Sequence, residues 1–478
     1  MATSEEFRIA GKDMIDYVID YINTCGERPP LAKVTPGYLQ DLIPLEAPEK
    51  PESWDDIKKD IERVIMPGVT HWNSPHFHAF FPAGSSYPSI LGDILMDATT
   101  NIGFSWIAGP ACTELEMIVL NWLVRMMKLP HVFLNEKGSP GGGSMQGSSS
   151  ESTLYSLLAA KMRMIRRLKE LNSDLDQFDV LPKFIAYISD QTLFCVEKAC
   201  MIASVRRRIL PTDENFILRG NVLRAAIEKD KDDGMIPLFV CATLGTTHSL
   251  AFDPLEELGP ICLEHDVWLH VDAAYAGTAF ICPEYRHFLN GVEYVTSLNI
   301  SPHKLMRVHI DLSILWVKSR ADIEKAFFVD PAIMRHEHQE DTIDYRHWQI
   351  PVGRKFRSLK LWFVLRMFGQ ENLQRHVRNQ AQLAKEFRDL MASDPRFTII
   401  AEVVLGLVCF RLKGSDEQNK ELLDCVNKSG DIFITGTQLK EQYVLRFVVC
   451  AASTESKHIR FAWKAIEGAA GKLLQKEH

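Results

Sequence analysis

The 478-residue chain carries no excess of positive charge: 54 Lys and Arg stand against 62 Asp and Glu, a formal net charge of -8. That sign is wrong for tracking a phosphate backbone, so no nucleic-acid partner is expected. No apolar run reaches the length needed to span a bilayer. Met1 to Glu6 is acidic and lacks the basic region and apolar core of a signal peptide. The ten cysteines include no CxxC pair and no framework spacing, which fits a reducing compartment better than secretion. A cytoplasmic protein without a membrane partner is therefore expected. No cysteine or carboxylate completes a tidy tetrahedral set around His71, His76 and His78 or around His336 and His338, so no metal is expected either.

What is present suits a soluble α/β protein. The composition, 46% hydrophobic and 24% charged, is ordinary for a globular chain, and the length suits a large domain with smaller satellites. Phe7, Ala10, Met14, Tyr17, Val18 and Tyr21 recur at helical spacing behind a Thr3/Glu6 capping box. A Pro-rich stretch from Pro29 to Pro51 follows, so residues 1–85 read as a helical arm that packs on its own chain or on a second copy. From about residue 86 to 360, helical stretches alternate with short apolar runs at Lys183 to Ser189, Ile236 to Thr243 and Val267 to Asp272, the pattern of a parallel α/β sheet. Residues 361–478 hold strand patterns at Leu405 to Leu412 and Tyr443 to Cys450 and a terminal helical pattern, which reads as a small α+β domain.

Two residues carry the strongest chemical signal. Asp272 ends the apolar run from Val267, where an unpaired carboxylate is costly, and Lys304 follows about thirty residues later in Ser301-Pro302-His303-Lys304. An acid that keeps a pyridine nitrogen protonated and an amine that bonds the cofactor aldehyde are what pyridoxal 5′-phosphate (PLP) requires. A helix N-cap or a structural salt bridge is the plainer reading of Asp272. Gly141 to Glu151, ahead of the helical run from Leu154 to Ile165, offers glycines and hydroxyls at a helix N-terminus, where a phosphate binds. It has neither a Walker ending nor GxGxxG spacing, and a serine-capped Gly/Ser connector explains it equally well. The Thr246-Thr247 turn sits at a strand's C-terminal end, where ligands of open sheets bind.

These segments together resemble the group II PLP-dependent decarboxylases, most closely the animal aromatic L-amino acid (DOPA) decarboxylases. The likeness runs nearly end to end through Pro67 to Trp72, Pro110 to Glu116, His270 to Gly277, Arg346 to Pro351 and Gly406 to Phe410. It implies a fold-type I, aspartate-aminotransferase-like subunit, a homodimer with active sites at the subunit interface, and a role in aromatic amino acid metabolism such as that of catecholamines. It also implies that Lys304 carries PLP and that Asp272 pairs with the pyridine nitrogen. Ser149, Ser150 and His303 would hold the phosphate region, with Ser301 and Thr247 close to the cofactor and Ala274 under the ring. Trp72, Phe81, Pro82 and Ala83 would line the substrate pocket, and Ile102 with Phe104 would reach in from the partner.

The departures from the family gather in the pocket. Leu193 replaces the histidine stacked over the cofactor, Ile333 the loop tyrosine that protonates Cα, and Ala83 a threonine that meets substrate hydroxyls. Ser301 and Leu305 replace asparagine and tryptophan around the lysine, and Arg307 and His309 stand where apolar and amide residues are usual. Isoleucine has no proton to give, and loss of a general acid is worth about 10²- to 10⁴-fold. Three outcomes stay open: decarboxylation to an amine, decarboxylation with oxidative deamination to an aldehyde as in aromatic acetaldehyde synthases, or a PLP-binding pseudoenzyme serving as a dimeric partner. A less polar pocket is expected to weaken any preference for catechols.

Overall fold

The computed structural model describes residues 3–339 and 341–475. Two compact units form, one from residues 83–382 with 401–405, the other from residues 1–82 with 383–400 and 406–478.

The first unit is built on a seven-stranded mixed sheet. Its strands are β1 (Gly142–Gln146), β2 (Phe184–Ser189), β3 (Arg206–Leu210), β4 (Ile236–Thr243), β5 (Trp268–Asp272), β6 (Ser297–Ile300) and β7 (Ser313–Val317), in spatial order β1-β7-β6-β5-β4-β2-β3. Strands β3, β2, β4, β5 and β6 are parallel neighbours, while β7 runs antiparallel to both β6 and β1. The three apolar runs of the sequence become β2, β4 and β5, buried throughout except for Ile236 at the start of β4. Strands covered on both faces read as continuous apolar runs. Helix Ser149–Leu171 packs across the sheet, with helices Phe194–Ala203 and Arg320–Phe327 against it. Phe184, Phe239, Trp268 and Leu315 are sealed in the core beneath.

The Gly/Ser run differs from a simple loop, because Gly142 to Gln146 pairs as the edge strand β1. A Cβ on Gly143 would lie 2.5 Å from the Trp316 ring, so only glycine lets β1 approach β7 here. Glu116, on helix Pro110–Met127, holds β1 from beneath: its Oε1 accepts the Met145 N–H at 2.7 Å. Arg354 clamps the same carboxylate through both terminal nitrogens at 3.0 and 2.8 Å and donates to the Met145 carbonyl at 2.7 Å. Both side chains are only 1% exposed. Removing one partner strands a buried charge, so Arg354→Ala is expected to cost about 3–5 kcal/mol of unfolding free energy, read from urea denaturation. A loss under about 1 kcal/mol would show that the pair does not hold β1.

The second unit contains an antiparallel sheet of β8 (Phe397–Ile399), β9 (Leu407–Leu412), β10 (Thr435–Leu439) and β11 (Gln442–Val448), ordered β10-β11-β9-β8, with helices Asp416–Ser429 and Ser456–Gln475. Helix Ser4–Thr24 belongs to this unit and starts with the expected capping box of Thr3 and Glu6. None of its residues is buried, and Phe7 is 74% exposed. Tyr17 and Tyr21 anchor it through hydroxyl contacts to Glu62 and His71. Among the described residues, no helix is long and apolar enough to cross a membrane.

Candidate active site

Asp272 and Asn299 are register partners on the parallel neighbours β5 and β6. Asp272 is 6% exposed, and among the described residues donors meet its carboxylate on one oxygen only. Its Oδ1 accepts from Ala274 N at 2.9 Å, Asn299 Nδ2 at 3.0 Å and Ser149 Oγ at 3.2 Å. The Asn299 amide also donates to Ser149 Oγ at 3.0 Å. Among the described residues Oδ2 receives no hydrogen bond, and no salt bridge to Asp272 forms. Among the described residues Asp272 is thus neither a helix cap nor half of an ion pair. Its unengaged oxygen suits a cationic ring N–H.

Lys304 lies on the short helical turn Pro302–Leu305, and its backbone N–H donates to Ser301 O at 2.9 Å. Burial lowers its ammonium below the ordinary lysine value, opposed by the negative charge of Asp272 and by Cys195. A lowered pKa favours the neutral, nucleophilic amine. The loop before the first unit's helix Tyr87–Thr99 presses on this turn: Gly84 N donates to His303 O at 2.7 Å. A Cβ on Gly84 would stand 3.1 Å from the Lys304 carbonyl, leaving little room for any side chain beside Ala83.

His303 is held by the Leu312 backbone, whose N–H donates to Nδ1 at 3.2 Å, and burial with the adjacent Lys304 pushes its pKa down to about 4. It is therefore neutral near pH 7. Ser301 is fully buried and turns its hydroxyl to Ser313 at 3.2 Å, while its N–H donates to Ala274 O at 3.0 Å. Two helices begin here. Ser148 caps helix Ser149–Leu171 through the Glu151 N–H, and Leu193 is the N-cap of helix Phe194–Ala203. Cys195, in the second turn-forming position of that helix, hydrogen-bonds Ser150, and burial raises its thiol to about 12. Thr247 sits in the turn after β4, partly buried.

The chain fits PLP. A desolvated amine, a carboxylate with one free oxygen and two helix N-termini supply the partners that its aldehyde, ring nitrogen and phosphate require. Thr243 Oγ1, beside Asp272 in register, and Asn299 Oδ1 are buried without a hydrogen-bond partner among the described residues, which leaves polar atoms for a bound group.

The other expected site residues stand on other segments of the chain. Ile333 is 89% exposed on the turn Ala332–Met334 and is not brought to Lys304 within one chain. Ile102 is 54% exposed, and Phe104 accepts the Arg346 N–H at 3.0 Å. Trp72, Phe81 and Pro82 belong to the second unit, where Trp72 stacks on Phe77 at 4.9 Å and Arg446 sits over the Phe81 ring at 5.2 Å. Sequence reasoning missed Asn299 and Cys195. The period-two polar series Ser297, Asn299, Ser301 carries a signal for Asn299; nothing in the sequence marks Cys195.

The family model for the pyridoxal-dependent decarboxylase conserved domain matches residues 36–413. The aromatic-L-amino-acid decarboxylase of Cavia porcellus is 52% identical over 476 residues, 99% of each chain. The structure of Catharanthus roseus tryptophan decarboxylase in complex with L-tryptophan superposes with a TM-score of 0.91 at 42% identity, covering 98% of this chain and 99% of that one. That of Rhodiola rosea 4-hydroxyphenylacetaldehyde synthase gives a TM-score of 0.91 at 35% identity with the same coverage.

Proposed function

Since the chain belongs to the pyridoxal-dependent decarboxylase family, we propose that it is a PLP-dependent carboxy-lyase that removes the α-carboxylate of an aromatic L-amino acid. The observation that carries this reading is a buried Asp272 carboxylate whose Oδ2 is left free, with the Lys304 amine within reach of its charge. When bound, the cofactor supplies an electron sink for the charge released as carbon dioxide leaves. Lys304 would hold it covalently. Asp272 Oδ2 would accept from the ring N–H. Ser150 and His303, with the two helix N-termini, would receive the phosphate, and Thr247 and Ala274 would stand close to the ring. Leu193 covers it without offering a hydrogen bond, and Ala83 shapes a pocket that leaves substrate hydroxyls unmet.

The protein acts as a homodimer in this reading, with Ile102 and Phe104 contributed across the interface. The unburied apolar side chains of helix Ser4–Thr24 support that assembly.

A second reading shares the same bond cleavage and differs in the product. Ile333 offers no proton, and a structural neighbour at 35% identity is an aldehyde synthase. In that outcome dioxygen would take up the electron pair left by the departing carboxylate, so that amino acid, O₂ and H₂O give aldehyde, CO₂, NH₃ and H₂O₂. Purified protein incubated with DOPA, tyrosine, tryptophan and phenylalanine, assayed for amine and for peroxide, tests both. Amine without peroxide is expected of a simple decarboxylase, and equimolar aldehyde and peroxide of the alternative. The absence of carbon dioxide from every aromatic substrate would reject the function. Phenylalanine is expected to match DOPA within about tenfold in kcat/KM, because an unmet buried hydroxyl is penalised more than an absent one.

A further inference from the structure

We propose that Asn299 is a positioning residue that locks the Asp272 carboxylate, so that a single oxygen is presented to the cofactor ring. This rests on the functional reading above and deepens it. Asn299 is fully buried on β6, directly across from Asp272 in the parallel ladder. Its amide nitrogen donates at 3.0 Å to Asp272 Oδ1 and at 3.0 Å to Ser149 Oγ, and Ser149 in turn donates to the same Oδ1 at 3.2 Å. With the Ala274 N–H at 2.9 Å, three donors converge on one oxygen and fix the plane of the carboxylate. A carboxylate carrying only the Ala274 bond would be free to rotate about its Cα–Cβ and Cβ–Cγ bonds. The lock also ties β6 to the N-terminus of helix Ser149–Leu171, so the ring-nitrogen partner and the phosphate-facing helix are held to one another.

The titratable neighbours of Asp272 are His270 on β5, Cys241 on β4, Cys195 and Lys304. His270 points to the same face as Asp272, with Ser297 Oγ at 2.8 Å from its Nδ1, and burial drives its pKa down to about 4. The two thiols are raised by burial, Cys195 to about 12. His270 and both cysteines therefore stay neutral across the physiological range, and apart from Lys304 none competes for the carboxylate. Loosening the lock weakens the hold of Asp272 on a ring proton and so lowers the pH at which that proton is lost.

The test compares wild type, Asn299→Ala, Ser149→Ala and Asp272→Asn as full-length holoenzymes. The PLP dissociation constant is measured by equilibrium dialysis, and the pH midpoint of the bound cofactor's visible absorption change by titration. Asn299→Ala is expected to weaken PLP binding on the order of tenfold to a hundredfold and to move the midpoint to lower pH. Ser149→Ala moves both in the same direction by less. If Asn299→Ala does not fold, the Ser149→Ala displacement supports the lock, and its absence overturns it. Wild-type affinity and midpoint in both alanine variants, alongside their loss in Asp272→Asn, would overturn the lock and leave the function standing. A wild type that binds no PLP overturns the functional reading itself, and the lock with it.

Discussion

Lys304→Ala is expected to abolish decarboxylation of every aromatic amino acid, a loss on the order of 10⁴-fold or more. In the proposed function the Lys304 amine bonds the cofactor aldehyde, and general acid–base groups elsewhere cannot substitute for a covalent tether. The loss will not come from misfolding. Among the described residues Lys304 Nζ makes no hydrogen bond or ion pair, so truncation removes a desolvated amine and spares the backbone bond to Ser301. Borohydride reduction of the wild-type holoenzyme followed by peptide mass spectrometry is expected to place a pyridoxyl adduct on Lys304 and on no peptide of the variant. Substantial turnover by the variant would remove Lys304 from the mechanism. A wild type that gains the adduct on Lys304 yet turns over no amino acid would instead favour the pseudoenzyme reading.

The parallel part of the fold was legible because it is encoded by local pattern. β4 spans Ile236–Thr243 as expected, and β2 and β5 begin one residue inside the expected runs, since strands buried on both faces announce themselves as unbroken apolar sequence. β1 was not legible: Gly142-Gly143-Ser144 has no strand propensity, and its extension depends on a partner, Trp316, some 170 residues away. The union of residues 1–82 with the C-terminal segments is likewise a long-range property with no local mark. In the site, Asp272 was readable because a carboxylate ending an apolar strand needs a reason to be there. Asn299 showed only as a polar residue alternating with Leu298 and Ile300, a pattern shared by any half-buried strand, and its partnership with Asp272 is set by sheet register. Cys195 carries no mark in the sequence, and its place beside Ser150 follows from how helix Phe194–Ala203 starts.

Ile333→Tyr is expected to shift the products toward amine, raising amine formation by about 10²- to 10⁴-fold where the wild type makes aldehyde. The electron pair left on loss of carbon dioxide would end in a new Cα–H bond or on dioxygen, and a phenol on the loop would assist only the first. The substitution is structurally cheap. Ile333 is 89% exposed, and a surface exchange of this kind changes stability by about 0.5 kcal/mol or less. The loop around it is fixed by other groups: Asp330 accepts from Arg335 Nε at 2.8 Å and Gln339 Nε2 at 3.2 Å, and His336 Nε2 meets Asp344 Oδ1 at 3.1 Å. A new tyrosine therefore inherits the loop conformation of the isoleucine it replaces. Leu193→His is the natural second variant, since a stacked imidazole can hold the tyrosine hydroxyl and the substrate carboxylate where leucine cannot. If each change acts on the same proton transfer, the double variant exceeds the product of the two singles, as groups that work as one unit do. Amine and peroxide measured in the same reaction give the partition directly. A ratio unchanged by Ile333→Tyr, alone and with Leu193→His, would mean that the proton reaches Cα from a donor off this loop.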